Sequence, residues 1–235
     1  MLRKVRDLLP KPLVNALRPV YWLFGCAWYR VKYGFLPPPL GTDLVGYEAL
    51  IEFIKANRIL NLPGDVLEVG AFCGGGTYKL AKFVTRKAEG KKIYVIDCFD
   101  IDYDKTECTA GIQMAQLYAE YLKGKSQKEL FCGVTRGLQN VQVIPEDSKL
   151  AVIPTDAICF AFVDGNHAPA YVLNDFRLAW GKLTRGGVAA FHDYGSDLPE
   201  VTAILDELCA QHRDEISNCF VDKEKHILFI QKRPA

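Results

Sequence analysis

The chain has 235 residues, 49% of them hydrophobic and 24% charged, with 29 Lys+Arg against 28 Asp+Glu. That net +1 argues against nucleic-acid binding by bulk charge and against an acidic disordered chain, while the length suits one or two domains with a full core. No run of about 18 apolar residues suggests a spanning helix, and the start, MLRKVRDLLPKP, lacks the apolar region and cleavage site of a signal peptide.

Residues 1–40 stand apart. They carry seven basic side chains (Arg3, Lys4, Arg6, Lys11, Arg18, Arg30, Lys32) and one acid, Asp7. Between Arg18 and Arg30 runs PVYWLFGCAWY, aromatic but about half a membrane span in length. The triple proline Pro37–Pro39 ends any helix, so the division expected is an arm at 1–40 and a domain at 41–235. Such a basic segment rich in Trp and Tyr suits a membrane interface. Packing on its own domain or on a second subunit, as a lid over the site, is the competing expectation.

Leu44, Leu50, Ile51, Phe53 and Ile54 then recur at helical spacing, which predicts a helix ending near Asn61. From Asp65 the pattern changes to short apolar runs, at 66–69, 93–96, 141–144, 158–163 and 188–191, separated by helical stretches at 76–88, 110–123, 168–181 and 199–211. Runs without strict alternation are those of parallel strands covered on both faces. The last two segments, 217–221 and 226–231, read as an antiparallel hairpin. The fold class expected is therefore α/β: a doubly wound, mostly parallel seven-stranded sheet with an antiparallel C-terminal hairpin and an N-terminal helical arm. Eight scattered cysteines, none in a CxxC pair, read as free thiols in a reducing, cytoplasmic setting.

Ligands of such sheets bind beyond the carboxyl ends of the strands. After the first strand comes EVGAFCGGGT, with Glu68, Gly70, Gly74, Gly75 and Gly76; its glycines would let backbone approach a ligand closely. The spacing G-x-x-x-G-G-G is neither the dinucleotide G-x-G-x-x-G nor a P-loop. Asp97 ends the second strand, where an acid can accept from a ribose diol, and Asp147 and Ser148 follow the third. The fourth strand ends in Asp164-Gly165-Asn166-His167 and the fifth in His192-Asp193-Tyr194. Being neighbours, they should present Asp164, His192 and Asp193 to one cleft. Asp100, Asp102 and Asp104 alternate like the start of a calcium loop, but Lys105 and Gly111 occupy the positions that need Gly and Glu, so solvated or substrate-facing acids are expected instead.

Carried by EVGAFCGGGT, IDCF, PEDS, FVDGNH and GGVAAFHDY, residues 44–232 resemble the class I S-adenosylmethionine-dependent methyltransferases. More narrowly, they are similar to the small O-methyltransferases of the macrocin and catechol types. The resemblance implies S-adenosyl-L-methionine as cofactor, with Glu68, Gly70 and Gly74 at its methionine end, Asp97 at the ribose, and Asp147 with Ser148 by the adenine. In metal-dependent relatives a divalent ion such as Mg2+ is held at the Asp164 position and by a pair after the fifth strand, here His192 and Asp193. The His-Asp pair departs from the usual two carboxylates, and Asn166 stands where some relatives carry a titratable residue. A histidine would then take the acceptor's proton, His167 first and His192 behind it, beside Asp164.

The acceptor expected is a hydroxyl on a sugar, glycan precursor or small natural product, with no nucleic-acid partner. The location expected is cytoplasmic, with the inner membrane face as the surface the arm would meet. A nucleotide-linked oxidoreductase and a non-catalytic binding module remain the alternatives.

Overall fold

In the computed structural model residues 11–234 are described, with side chains from Trp22 onward. The chain divides into two compact units between Pro37 and Pro38.

Among its described residues the first unit holds one helix, α1 (Lys11–Tyr33). Arg30 and Lys32 sit in its last turn, beside the negative end of the helix dipole. Gly34, at φ 85°, terminates it and returns its N–H to the Arg30 carbonyl at 2.8 Å. The Tyr29, Tyr33 and Phe35 rings pack together with centroids 4.5 to 6.3 Å apart. Leu23, Phe24, Trp28 and Val31 are exposed, and Lys32 lies over the Trp28 ring. No described helix is long and apolar enough to cross a membrane. Arg3, Lys4 and Arg6 lie outside the described residues.

In the second unit α2 (Glu48–Ala56) buries Leu50, Ile51 and Ile54. The helix expected to reach Asn61 stops earlier, because Arg58 turns left-handed (φ 53°) before a short 3-10 turn at Ile59–Asn61. There follow β1 (Asp65–Val69), α3 (Gly75–Lys87), β2 (Ile93–Ile96), α4 (Met114–Leu122), α5 (Gln127–Val134), β3 (Val141–Ile144), β4 (Ile158–Val163), α6 (Pro169–Lys182), β5 (Leu183–Phe191), α7 (Pro199–Gln211), β6 (Ile216–Asp222) and β7 (Ile227–Lys232). The seven strands form one sheet in the order β3-β2-β1-β4-β5-β7-β6. The first five run parallel, while β7 is antiparallel to both β5 and β6.

Two elements differ from expectation. Helix α5 was not foreseen; Ser126 caps it by accepting from the Glu129 N–H. Strand β5 begins at Leu183 rather than 188, its pairing with β4 shifting register between Ile158 and Phe160.

Strand β4 is central, and all six of its residues are buried. Phe160 and Phe162 are inaccessible, each burial worth about 1.5–3 kcal/mol. Phe176 of α6 stacks between Trp180 and Phe191, which fixes the helix that follows β4 against the end of β5. After β3 the chain crosses back over β2 and β1 to enter at β4. The sheet therefore reverses direction between β1 and β4, where a crevice opens at the carboxyl ends.

Candidate active site

That crevice is a cavity of about 440 Å³. Its floor is the turn after β1. Gly70 (φ 82°) has the Asp164 carbonyl where a Cβ would stand, 1.9 Å away, so β1 and β4 can pair to their ends only with glycine here. At Gly76 a Cβ would meet the Tyr47 ring at 2.3 Å. The glycines thus admit the protein's own segments, a role that the expectation of ligand approach had not assigned them. Gly70 and Gly76 line the cavity; Gly74, against the Phe131 ring, does not.

Glu68 also lies away from the cavity. It is fully buried beneath the loop, accepting from Tyr47 Oη and Thr77 Oγ1, both at 2.7 Å. Burial pushes its carboxyl up to about 7 against the pull of those two donors. Its place at the methionine end is therefore corrected: it anchors Tyr47 and the first turn of α3 from below.

Asp97, at the end of β2, lines the cavity and clamps the loop. Its Oδ2 accepts from the N–H groups of Ala71 (2.8 Å) and Phe72 (3.1 Å), and Oδ1 from that of Phe99 (2.7 Å). Gln127 of α5 donates to both oxygens. Burial raises its pKa, and the backbone donors draw it back. After the neighbouring strand β3, Asp147 accepts from Tyr171 Oη at 3.0 Å and from the Lys149 N–H at 2.8 Å. Burial opposes its ionisation, but hydrogen bonds from Tyr103, Lys149 and Tyr171 outweigh it and hold the pKa below the usual range. Ser148 lines the same wall and accepts from Asn174.

The densest chemistry lies at the ends of β4 and β5. Asp193 takes a left-handed backbone (φ 61°) that turns its carboxylate back to both histidines. Its Oδ2 is 2.8 Å from His167 Nε2 and 3.0 Å from His192 Nδ1. Asp164 Oδ1 is 3.0 Å from His192 Nδ1 and 4.0 Å from His167 Nε2. The other nitrogen of His167, Nδ1, lies 2.5 Å from Asp104. Burial alone would lower both histidines. Asp104 and Asp193 instead push His167 up to about 10, and Asp164 with Asp193 pushes His192 up to about 11. Burial also works against the Asp104 and Asp193 carboxylates, yet both end below the usual range because the imidazoles face them.

Two expectations change here. His167, first choice for the base, has both ring nitrogens on carboxylates and neither left for a substrate proton. His192 spends Nδ1 on the two acids, and no described residue bonds its Nε2. The group whose ligand atoms lie within 4.8 Å of one another is Asp164, His167 and Asp193, so His167 replaces His192 beside the acids in the expected metal set.

The donors fit a divalent ion. Two carboxylates and an imidazole converge, and Asp104 on Nδ1 would hold the tautomer that turns Nε2 toward the acids. Asp104 was missed as a functional residue; its place in the loop after β2 was the only signal. Also unforeseen were Tyr47 and Tyr118 on the cavity wall, and the loop anchor from Asn166 Nδ2 to the Tyr103 carbonyl at 3.0 Å.

Residues 67–194, more than half of the chain, match the family model described as a methyltransferase domain. Among solved structures, the fold is similar to that of the O-methyltransferase NovP, with a TM-score of 0.62 at 16% identity over 81% of each chain. It is also similar to CalS11, a TDP-rhamnose 3'-O-methyltransferase of calicheamicin biosynthesis, with a TM-score of 0.54 at 15% identity over 78% of this chain and 79% of that one. No curated protein sequence matches.

Proposed function

The chain belongs to the methyltransferase-domain family and is an S-adenosylmethionine-dependent methyltransferase; from that premise we propose that it transfers the methyl group to a hydroxyl of a sugar, glycan precursor or small natural product. The oxidoreductase and the non-catalytic module give way to the family match. The observation that carries the oxygen acceptor is the four-residue cluster Asp164–His167–His192–Asp193, set at the ends of β4 and β5 on the cavity that the Gly70 turn shares.

S-adenosylmethionine supplies a methyl on a positively charged sulfonium. The cavity suits it by charge and placement: Gly70–Phe72 line it after β1, and Asp97 and Asp147, after the neighbouring strands β2 and β3, line it for the ribose and the adenine edge. Because Asp97 already holds Ala71, Phe72 and Phe99, its first task in this reading is to keep the loop in shape.

At the acceptor end, a divalent ion held by Asp164, His167 and Asp193 would polarise the hydroxyl and lower its pKa. The chain's own part is positional. Asp104 orients His167 and Asp193 orients both rings; an ion drawing on the charge of Asp164 and Asp193 would offset the pull that keeps His192 protonated and leave its Nε2 to receive the hydroxyl proton. Buried surroundings keep water from competing and fix the oxygen in line.

Calorimetry tests the cofactor: S-adenosylhomocysteine should bind and NAD should not. His192→Ala should lower kcat by about 10²-fold or more; activity that survives both this change and Asp164→Ala would sink the centre. Full activity after EDTA treatment would remove the ion.

A second reading concerns the arm, which we propose meets an anionic bilayer. Leu23, Phe24, Trp28 and Val31 are exposed on a helix of a segment carrying net +6. Vesicles containing phosphatidylserine should bind the full chain and not a chain beginning at Gly41. Equal binding by both would end this reading.

A further inference from the structure

The acceptor half of the cavity has a charge character that narrows what can enter it. Ten of the residues that line the cavity are acids and none is lysine or arginine. The positive groups present are His167 and His192, and both are enclosed by Asp104, Asp164 and Asp193. An anion could still be received at the start of α3, where free N–H groups meet the positive end of the helix dipole. The first of these is taken: the Gly75 N–H donates to the Thr42 carbonyl at 2.9 Å, and Thr42 packs so closely that a Cβ on Gly75 would lie 2.4 Å from it. The Gly74 N–H turns back to the Ala71 carbonyl.

The mouth repeats this character. Leu44, Ile112 and Leu117 stand exposed on the wall, at 43, 48 and 36%. Asp100 and Asp197, also on the lining, offer exposed carboxylates. Asp100 uses one oxygen on the Asp102 N–H, whereas among the described residues the Asp197 side chain has no hydrogen-bond partner.

Resting on the hydroxyl-transfer reading, we infer that the acceptor enters as an uncharged or ammonium-bearing hydroxyl compound with apolar surface, and that compounds whose phosphate or carboxylate must lie in the mouth, beyond the place of the ion, are rejected. A phosphate there would meet Asp100 and Asp197 with no lysine or arginine on the lining to receive it, so it would lose its hydration without replacement. An ammonium group would find Asp197, and aliphatic or ring carbon would cover Leu44, Ile112 and Leu117. Nucleoside-diphosphate sugars and acyl-CoA thioesters fall on the rejected side wherever their phosphates lie within the mouth. Like-charge juxtaposition is a strong discriminator of this kind because it acts on the wrong ligand without weakening the right one.

The test is a matched acceptor panel. Pyranosides and catechols are each supplied in neutral, amine, carboxylate and phosphate forms, with S-adenosylmethionine as donor and release of S-adenosylhomocysteine as readout. Within any scaffold turned over, the expected kcat/KM of the anionic members is at least about ten-fold below the neutral and amine members. Asp197→Lys should narrow that gap at least about three-fold, through KM. Turnover that favours a phosphate or carboxylate member overturns this inference and leaves the methyltransferase reading standing. A gap unmoved by Asp197→Lys overturns it as well. No turnover of any member, with S-adenosylhomocysteine still bound, removes the hydroxyl reading and this inference together.

Discussion

The arm and the domain use charge in opposite ways. Residues 1–40 hold seven basic side chains and one acid, net +6, which leaves 22 basic and 27 acidic side chains, net −5, for the remainder. Overall near-neutrality is thus a cancellation between unlike parts. In the domain, acids such as Asp97 and Asp193 are drawn inward and given donors: Asp97 has three backbone N–H groups and Gln127, and Asp193 has two imidazoles. On α1, Arg30 and Lys32 are exposed at the helix end. Buried charge is specific and little affected by salt; exposed charge is diffuse and screened within about 8 Å at physiological ionic strength. Perturbing the two regions should therefore give responses of different size and different salt dependence.

The largest effect belongs to the domain. Asp193→Asn keeps the shape but removes the charge that both histidines face. We expect kcat to fall about 10³-fold with S-adenosylhomocysteine affinity changed by less than about three-fold, equally at 20 and 500 mM salt. A loss under ten-fold, or one that salt restores, would erase the contrast with the arm.

A smaller, salt-dependent effect belongs to α1. With phosphatidylserine vesicles, Arg30→Gln together with Lys32→Gln should weaken binding about thirty-fold at low salt, at roughly 1 kcal/mol per basic residue near the surface. The deficit should vanish at 500 mM salt. Phe24→Ser should weaken binding by a factor that salt does not change, because it removes buried apolar area. Identical salt profiles for the two variants would show that charge and apolar surface do not act separately there.

How much of this was legible in the sequence follows from where the forces act. Strands β1 to β4 could be read to within about a residue, because each is an apolar run closed by Gly, Pro or Asp within a few positions. The first half of β5 could not: Thr184, Arg185 and Gly186 look like a turn, and they lie in the register shift between Leu183, opposite Ile158, and Val188, opposite Phe160. Asp164, His167, His192 and Asp193 were legible as strand-end residues, since topology alone brings β4 and β5 together. Their division of labour was not. It depends on Asp104, which lies 63 residues from His167 in sequence and reaches it only through the fold of the loop after β2. The alternation Asp100, Asp102, Asp104 even drew attention to a different chemistry. The packing role of the glycine turn was hidden for the same reason. Thr42, Tyr47 and the Asp164 carbonyl, which require Gly75, Gly76 and Gly70, are remote in sequence and leave no local trace.

The smallest effect probes burial itself, through Glu68. Its ordinary carboxyl value is 4.5, and in the folded domain burial lifts it to about 7. Between those values the folded state holds a proton that the unfolded chain has released. The unfolding free energy therefore falls as pH rises through this window, by up to about 1.4 kcal/mol per unit and about 3 kcal/mol in all, and levels off above it. The stabilisation is fully present below pH 4.5 and lost by the time pH passes 7. Glu68→Gln retains an acceptor for Tyr47 or Thr77 but cannot titrate, so its own curve should lack this component. Other groups titrate in both chains, which makes the difference between the two curves the quantity to measure. Urea unfolding at pH 5 and pH 8 should show the variant gaining about 2–3 kcal/mol relative to the unaltered chain between the two conditions. The same gain should appear in a chain beginning at Gly41, because the window arises from a carboxyl sealed beneath the Gly70 turn, between Tyr47 and Thr77, where no charge of the arm is needed to explain it. Parallel curves would mean that Glu68 stays ionised in the fold, and the burial argument at this site would fail.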